Sequence, residues 1–172
     1  MNLAAAATAE RIGRRQGGDP PPLSFAQQRL WFLDRLEPAS PFYNVATGAR
    51  FPGRLDRRAL ERSLQEIVRR HEALRTTFEL RGGEPVQVIA PDVELALELI
   101  DLHEVEAEAR EARLAQVTAQ EISKPFDLAR GPLVRARLVR LSDEDHVLLV
   151  TMHHIVSDGW STGLLLRELS AL

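Results

Sequence analysis

The segment from Val147 to Met152 constrains the fold of this chain most, because it is apolar at every position except Thr151. A continuous apolar run of this length is typical of a strand in the middle of a sheet, buried on both faces. Two histidines, His153 and His154, follow it directly, and a helix-like segment opens soon afterwards. The sequence therefore predicts that a buried strand brings two imidazole rings to the end of a sheet.

Helices and strands alternate irregularly along the rest of the chain. A first helix follows the N-cap Ser24 and is ended by Pro38 and Pro41, and Gly82-Gly83 indicates a tight hairpin. The predicted strands are Tyr43–Phe51, Thr76–Leu80, Val86–Ile89, Leu95–Ile100, Leu133–Leu141 and Val147–Met152, and further helices follow Asp56, cover Glu104–Ser123 and begin at Asp158. This order predicts an α/β fold, a two-layer sandwich with a mixed sheet, rather than a doubly wound parallel sheet.

The spacing of apolar residues predicts which helix faces are buried. His71 lies on the apolar face of its helix and is expected to be a packed core histidine. That face carries Leu60, Leu64, Ile67, Val68 and His71. The aromatic residues of the first helix are likewise expected in the core, and the last helix is expected to have one apolar side. These residues are Phe25, Trp31 and Phe32 in the first helix and Trp160, Leu164, Leu165, Leu169 and Leu172 in the last.

Composition excludes several classes of protein. A length of 172 residues suits one domain or one lobe of a larger domain, and a net charge of −3 argues against nucleic acid as the main partner. The absence of cysteine excludes disulfides, thiolate metal sites and cysteine nucleophiles. Because no apolar stretch could span a membrane and no signal-peptide core begins the chain, a cytoplasmic protein is expected. Residues 1–22 are expected to be a flexible leader or linker.

Strand geometry separates the roles of the two histidines. Neighbouring side chains of a strand point to opposite faces, so only one of His153 and His154 can face a given cleft. A histidine ring titrates near pH 6.5 and is suited to take a proton from an amine or hydroxyl that attacks a carbonyl group. A metal ion would need further converging ligands, and the local candidates are His146 and Asp158 alone, so no metal site is predicted.

The Asp158-Gly159 pair opens the last helix, and the aspartate has two possible roles. Asp158 could orient the site through an ion pair, or it could simply cap the helix. Gly159 lets the backbone approach a ligand closely, and the amides of Gly159 and Trp160 would lie at a helix N-terminus, where developing negative charge is favoured. A histidine pair by itself is equally well explained by core packing. The combination of strand end, short loop and Asp-Gly helix start favours a catalytic site.

Three segments resemble the motifs of nonribosomal peptide synthetase condensation domains. The residues from His153 to Gly159 match the HHxxxDG signature, Leu23–Leu33 resembles the opening motif of the family, and Arg70–Phe78 resembles its second motif. The resemblance covers 23–172 and implies a fold like that of chloramphenicol acetyltransferase, built as two lobes with the active site in a tunnel between them. The chain resembles the N-terminal lobe, so the C-terminal lobe is expected to be absent from it.

The resemblance also implies a reaction and roles for the site residues. The family joins a donor acyl or peptidyl thioester to the amine of an acceptor aminoacyl thioester, and both substrates ride on phosphopantetheine arms of carrier domains. His154 matches the catalytic histidine, which acts as general base or positions the amine, and His153 matches the more structural one. Asp158 matches an aspartate that forms an ion pair with an arginine, for which Arg75 is the candidate, and Gly159 matches a glycine whose amide lies near the reacting carbonyl.

The resemblance leaves other functions open. It implies peptidyl carrier domains and adjacent synthetase domains as partners and no cofactor bound directly, and the first two motifs look most like the subtype that couples two L-configured residues. The isolated lobe is expected to be inactive, because half of the tunnel is missing. The alternatives are a related standalone acyltransferase that esterifies a small alcohol and a non-catalytic lobe that docks carrier domains.

Overall fold

The apolar segment before the two histidines forms an inner strand of a four-stranded sheet. The computed structural model describes residues 20–172. Its elements are α1 (Phe25–Leu36), β1 (Asn44–Pro52), α2 (Arg57–Arg70), a 3-10 turn (Glu72–Arg75), β2 (Thr76–Arg81), β3 (Glu84–Ile89), β4 (Leu97–Asp101), α3 (Ala107–Ser123), β5 (Val134–Ser142), β6 (Asp145–His153) and α4 (Gly159–Ala171). The sheet order is β1-β6-β5-β4, and β2 and β3 form a separate two-stranded sheet.

The pairing of the strands makes the larger sheet mixed. Strand β6 is antiparallel to both of its neighbours, β1 and β5, whereas β4 runs parallel to β5. A parallel pair needs a long crossover connection, and here α3 lies between β4 and β5 in the chain. The prediction of an α/β fold with a mixed sheet is therefore confirmed.

Helices pack on both faces of this sheet, α2 and α4 on one face and α3 on the other. Leu148, Val150 and Met152 of β6 pack in one core cluster with residues of α2 and α4. Val147 and Leu149 point the other way and pack in a second cluster that includes residues of α3. The reason lies in the apolar run itself, because a strand that is apolar at both alternating positions needs cover on both faces.

Local sequence signals explain where several elements begin and turn. Ser24 accepts a hydrogen bond from the amide of Gln27, whose side chain accepts one from the amide of Ser24, so that a capping box starts α1. Asp56 caps α2 by accepting from the amide of Ala59. Gly82 and Gly83 have φ angles of 61° and 89°, which a two-residue hairpin turn requires at both positions. The predicted hairpin is confirmed.

Two aromatic residues of α1 expected in the core lie at the surface, and so does Trp160 from the apolar side of α4. Phe25 is 91% exposed, Phe32 is 56% exposed and Trp160 is 79% exposed. Helix α1 packs through Leu30, with Trp31 partly buried beside it, because the helix rests on a small cluster of loop residues and Phe78 of β2 rather than on the four-stranded sheet. The face of α1 that carries Phe25 therefore points outward.

His71 is also not the packed core residue that its helical spacing predicted. Helix α2 ends at Arg70, and His71 is its C-cap, so its side chain leaves the apolar face. Its Nε2 lies 3.0 Å from both carboxylate oxygens of Glu168 in α4, and the pair is partly exposed. His71 therefore joins α2 to α4 through a polar contact at the rim of the core.

The predicted leader 1–22 lies mostly outside the described residues. Of its described part, Pro22 forms an isolated bridge with Val86, and its carbonyl oxygen accepts a hydrogen bond from the side chain of Gln87. Within 20–172, none of the helices has the length and apolar character needed to cross a membrane.

Candidate active site

His153 is the last residue of β6 and is buried beneath the loop that follows. Its amide donates to the carbonyl of Leu133, and its Nδ1 accepts a hydrogen bond of 3.1 Å from the amide of Ile155. The Phe126 ring lies perpendicular to the imidazole at a centroid distance of 6.3 Å. Burial, and secondarily the nearby His154, lower the pKa of His153 to about 4. The ring is therefore neutral near pH 7, with its proton on Nε2.

His154 lies on the other side of the strand end and is exposed. Its amide donates to the carbonyl of Tyr43, and its Nδ1 lies 2.6 Å from the carbonyl oxygen of Ser157. A carbonyl oxygen can only accept a hydrogen bond, so Nδ1 carries the proton of the neutral ring. Nε2 is then left with a free lone pair, which is the form that a general base requires.

The loop between the histidines and α4 is held by its own backbone and by α1. The amide of Val156 and the hydroxyl of Ser157 both donate to the carbonyl of His153, at 3.0 and 3.2 Å. Ile155 and Val156 are buried. The side chain of Gln27 donates to the carbonyl of Ile155 at 3.3 Å. Sequence reasoning missed this role of Gln27, although its place three residues after the N-cap Ser24 marks it as part of a capping box.

Asp158 caps α4. Its Oδ1 accepts hydrogen bonds from the amide of Ser161 at 2.8 Å and from the hydroxyl of Ser161 at 2.6 Å. These hydrogen bonds from Ser161 lower the pKa of the exposed carboxyl group. Of the two roles predicted for Asp158, helix cap or ion-pair partner, the structure shows it as the helix cap.

The ion pair expected between Asp158 and Arg75 is absent from the structure. Arg75 donates to the carbonyl oxygen of Ala90, and its Nη2 lies 3.6 Å from Glu72. Its Nε is buried and has no hydrogen-bond partner within residues 20–172. The prediction is wrong because Arg75 ends the 3-10 turn and points to the end of β3, while Asp158 turns back onto its own helix.

Gly159 is the first residue of α4 and borders open space. A Cβ atom added there would meet no atom within 4 Å. The amide groups of the first helical turn carry a partial positive charge and lack partners within the helix. A carbonyl group could therefore approach the backbone at Gly159 without displacing a side chain.

Two cavities flank the histidine loop. One, of about 310 Å³, lies between the end of α1 and the start of β1, and is lined by His153, Tyr43, Phe42 and Asp34 among others. Burial, and secondarily Asp127, raise the pKa of Asp34. The second cavity, of about 120 Å³, lies between α2 and α4 and is mostly apolar, with Met152 and Val156 in its wall.

Four of the five predicted site residues lie close together in the chain. His153, His154, Asp158 and Gly159 lie on one continuous turn between β6 and α4, whereas Arg75 lies apart from them. Within residues 20–172, no group of three histidine, aspartate or glutamate side chains is arranged to hold a metal ion.

The chain is similar to parts of several peptide synthetases. A linear gramicidin synthase of Brevibacillus parabrevis is 51% identical over 148 residues, which are 86% of this chain and 3% of that protein. Phosphinothricin tripeptide synthetase PhsC of Streptomyces viridochromogenes is 48% identical over 162 residues, which are 94% of this chain and 15% of that protein. The chain thus spans a small fraction of the length of these relatives.

Solved structures with the same fold are themselves condensation domains. The first condensation domain of the calcium-dependent antibiotic synthetase, in complex with a substrate analogue, has a TM-score of 0.82 at 26% identity, covering 89% of this chain and 37% of that one. The starter condensation domain of rhizomide synthetase RzmA has a TM-score of 0.81 at 23% identity. The match covers 88% of this chain and 36% of that one. At 23% identity, the likeness to the RzmA domain concerns the fold alone.

A family model for the Condensation domain matches residues 19–172, and thus includes all of the described chain. The length and the order of the motifs fit the N-terminal lobe of such a domain. The chain belongs to the condensation-domain family of nonribosomal peptide synthetases.

Proposed function

We propose that this lobe supplies the general base for amide formation within a complete condensation domain. In this reaction the amine nitrogen of the acceptor attacks the thioester carbonyl of the donor, a C–N bond forms and the C–S bond breaks. The amine gives up one proton, and the departing thiolate takes one. A single base that accepts the first proton and returns it to the thiolate balances the step.

His154 is the residue proposed for this proton transfer, and the observation that carries the proposal is its contact with Ser157. The hydrogen bond from Nδ1 to the carbonyl of Ser157 leaves Nε2 unprotonated on an exposed ring. His153 is unsuited to the same task, because burial lowers its pKa to about 4 and makes it a weak base. We propose that His153 supports the loop.

Asp158 and Gly159 complete the proposed site at the start of α4. Asp158 fixes the first turn of the helix through Ser161. The amide of Gly159 at the start of that turn would then favour negative charge on the carbonyl oxygen during attack. The open space at Gly159 supports this placement, since no side chain blocks the approach.

The proposed substrates are thioesters on phosphopantetheine arms, delivered by peptidyl carrier domains of the same synthetase. The relatives are synthases of peptides such as linear gramicidin, and the chain matches a small part of each. Coupling of two L-configured residues, adjacent synthetase domains as partners and a cytoplasmic location remain predictions. The isolated lobe is predicted to be inactive.

The test is an amide-formation assay with carrier domains loaded with donor and acceptor, using the complete domain that contains this lobe. His154→Ala should lower kcat by about 10²- to 10⁴-fold. His103→Ala is a matched control, because His103 is a partly exposed histidine in the turn after β4, distant in sequence from the loop. Equal activity of the two variants would refute the proposal.

The same assay separates the alternatives. A standalone acyltransferase would form esters with free alcohols and would not need a loaded carrier domain. A docking lobe would bind carrier domains, and its His154→Ala variant would retain full amide formation. Turnover by the 172-residue chain alone would contradict the prediction that the isolated lobe is inactive.

A further inference from the structure

The C-terminal end of α3 is held by side chains from two strands of the sheet. Asn44 of β1 donates through Nδ2 to the carbonyls of Ile122 and Lys124, at 2.7 and 2.9 Å. Arg135 of β5 donates through Nη2 to the same carbonyl of Lys124 at 2.6 Å, and through Nη1 to that of Pro125 at 3.2 Å. We call Asn44 and Arg135, with the carbonyls they bind, the α3 clamp.

The α3 clamp supplies charge that the helix itself lacks. The last carbonyls of a helix have no partners within it and carry a partial negative charge. No basic residue lies in the last turn of α3, so Arg135 provides the cation from β5. Its Nε also bonds to the carboxylate of Glu121 at 2.5 Å, and Glu121 is only 2% exposed.

Glu121 has a second arginine partner, Arg137 of β5. The Nε of Arg137 lies 2.8 Å from Oε2 of Glu121, as an ion pair without the alignment of a hydrogen bond. Arg137 forms a further ion pair with Glu98 at 3.0 Å. It shares the carboxylate of Glu121 with Arg135 but has no hydrogen bond to the carbonyls at the end of α3. Both arginines therefore pair with Glu121, but only Arg135 holds the end of α3, and a comparison of variants at the two positions tests that contact.

The clamped segment leads directly to Phe126, and Phe126 contacts His153. The guanidinium carbon of Arg135 lies 3.7 Å from the centroid of the Phe126 ring. The same ring packs against His153 in a T-shaped arrangement with an interplanar angle of 89°. Asn44 reaches the same place from β1, because it pairs directly with His153 in the register of β1 and β6. Asn44 therefore lies directly beside the buried histidine, and Arg135 is linked to it through Phe126.

We propose that Asn44 and Arg135 are positioning residues for the histidine pair, acting through Phe126. They fix the end of α3, so that Phe126 closes the site around His153 and keeps water from its ring. His153 then keeps its hydrogen bond from Ile155, which holds the turn that aims His154 at the substrate. This inference rests on the proposed function of His154.

The test compares Arg135→Lys with Arg137→Lys in the 172-residue chain, by NMR titration of the histidine rings. Lysine keeps the charge beside Glu121 but cannot cover Phe126 or donate from two nitrogens. For Arg135→Lys we expect the pKa of His153 to rise from about 4 toward its ordinary value of 6.5, as water reaches the ring. The ¹⁵N shifts of His154 should also change. Arg137→Lys should leave both signals unaltered.

An unchanged His153 titration in Arg135→Lys, or an equal change in Arg137→Lys, would overturn the inference. If Arg135→Lys does not fold, Asn44→Ala gives the same test, because it removes two donors to α3 without removing a charge. In the complete domain, Arg135→Lys should lower kcat more than it changes KM. A normal kcat with a shifted His153 titration would count against the role of His154 instead, so the two failures are distinguishable.

Discussion

The carbonyl oxygen of Ser157 lies 2.6 Å from Nδ1 of His154 and thereby decides which nitrogen of the exposed ring is free. The neutral ring of His154 should therefore exist as the tautomer with the proton on Nδ1 and the lone pair on Nε2. The ¹⁵N chemical shifts of a histidine ring distinguish the two tautomers. An Nε2-protonated ring, the form His153 is expected to adopt, would contradict the contact seen here.

The buried ring of His153 should make the folded state sensitive to acid. Its pKa is about 4 in the folded chain and about 6.5 when the chain unfolds, so between these values the unfolded state binds the proton more readily. Stability from this group is present above pH 6.5 and is lost as the pH falls to 4, by at most about 3 kcal/mol. Denaturant titrations from pH 7 to 4 measure this loss. The slope should be smaller in His153→Gln, where carboxyl groups with lowered pKa values such as Asp158 still contribute, and should persist in His103→Gln.

Replacing Asp158 should have the modest effect of a lost helix cap. Asp158→Ala removes the hydrogen bonds from Ser161 and should destabilise the chain by about 1 kcal/mol. Asp158→Asn keeps an acceptor and should lie closer to wild type. Chemical denaturation measures both, and a loss of roughly 3–5 kcal/mol would instead indicate a buried ion pair.

Two glycines should respond differently to the same substitution. Gly83 has a φ of 89°, which an alanine side chain disfavours, so Gly83→Ala should cost about 1–2 kcal/mol. Gly159 lies in the first turn of α4 and borders open space, so Gly159→Ala should range from neutral to about 1 kcal/mol more stable. Thermal and chemical denaturation measure the difference. A loss of stability in Gly159→Ala would show that other atoms crowd the start of α4.

The two faces of α1 should differ in their contribution to stability. Leu30 is buried in the cluster beneath the helix, and Leu30→Ala should cost about 2–5 kcal/mol. Phe25 is exposed, and Phe25→Ala should change stability by no more than about 0.5 kcal/mol. Comparable losses in the two variants would mean that Phe25 packs against the core in solution.

The sequence predicted the elements best where one local signal decided the structure. Asp56 and Ser24 mark helix starts through hydrogen bonds within four residues, and Gly82-Gly83 sets a turn through backbone angles alone. The alternation of strand faces likewise predicted that the two histidines would differ, and His153 is buried while His154 is exposed.

The errors concern residues whose partners come from distant parts of the chain. Arg75 lies next to Ala90 rather than Asp158 because of where β3 ends. His71 meets Glu168, which is nearly a hundred residues away and belongs to the last helix. The side of α1 that is exposed depends on the distant residues that pack against Leu30, and the spacing of apolar residues within the helix does not identify them.

The edge position of β1 ties the site to the folding of nearly the whole lobe. Its hydrogen-bonding neighbour in the sheet is β6, so Asn44 finds its partner His153 more than half the chain later. Contacts this distant in sequence close slowly, because the loop between them must first lose its conformational freedom. During synthesis on a ribosome, β1 must therefore wait unpaired until β6 has emerged. The histidine turn then forms in the same step that completes the sheet, so a partly folded lobe would have no histidine site.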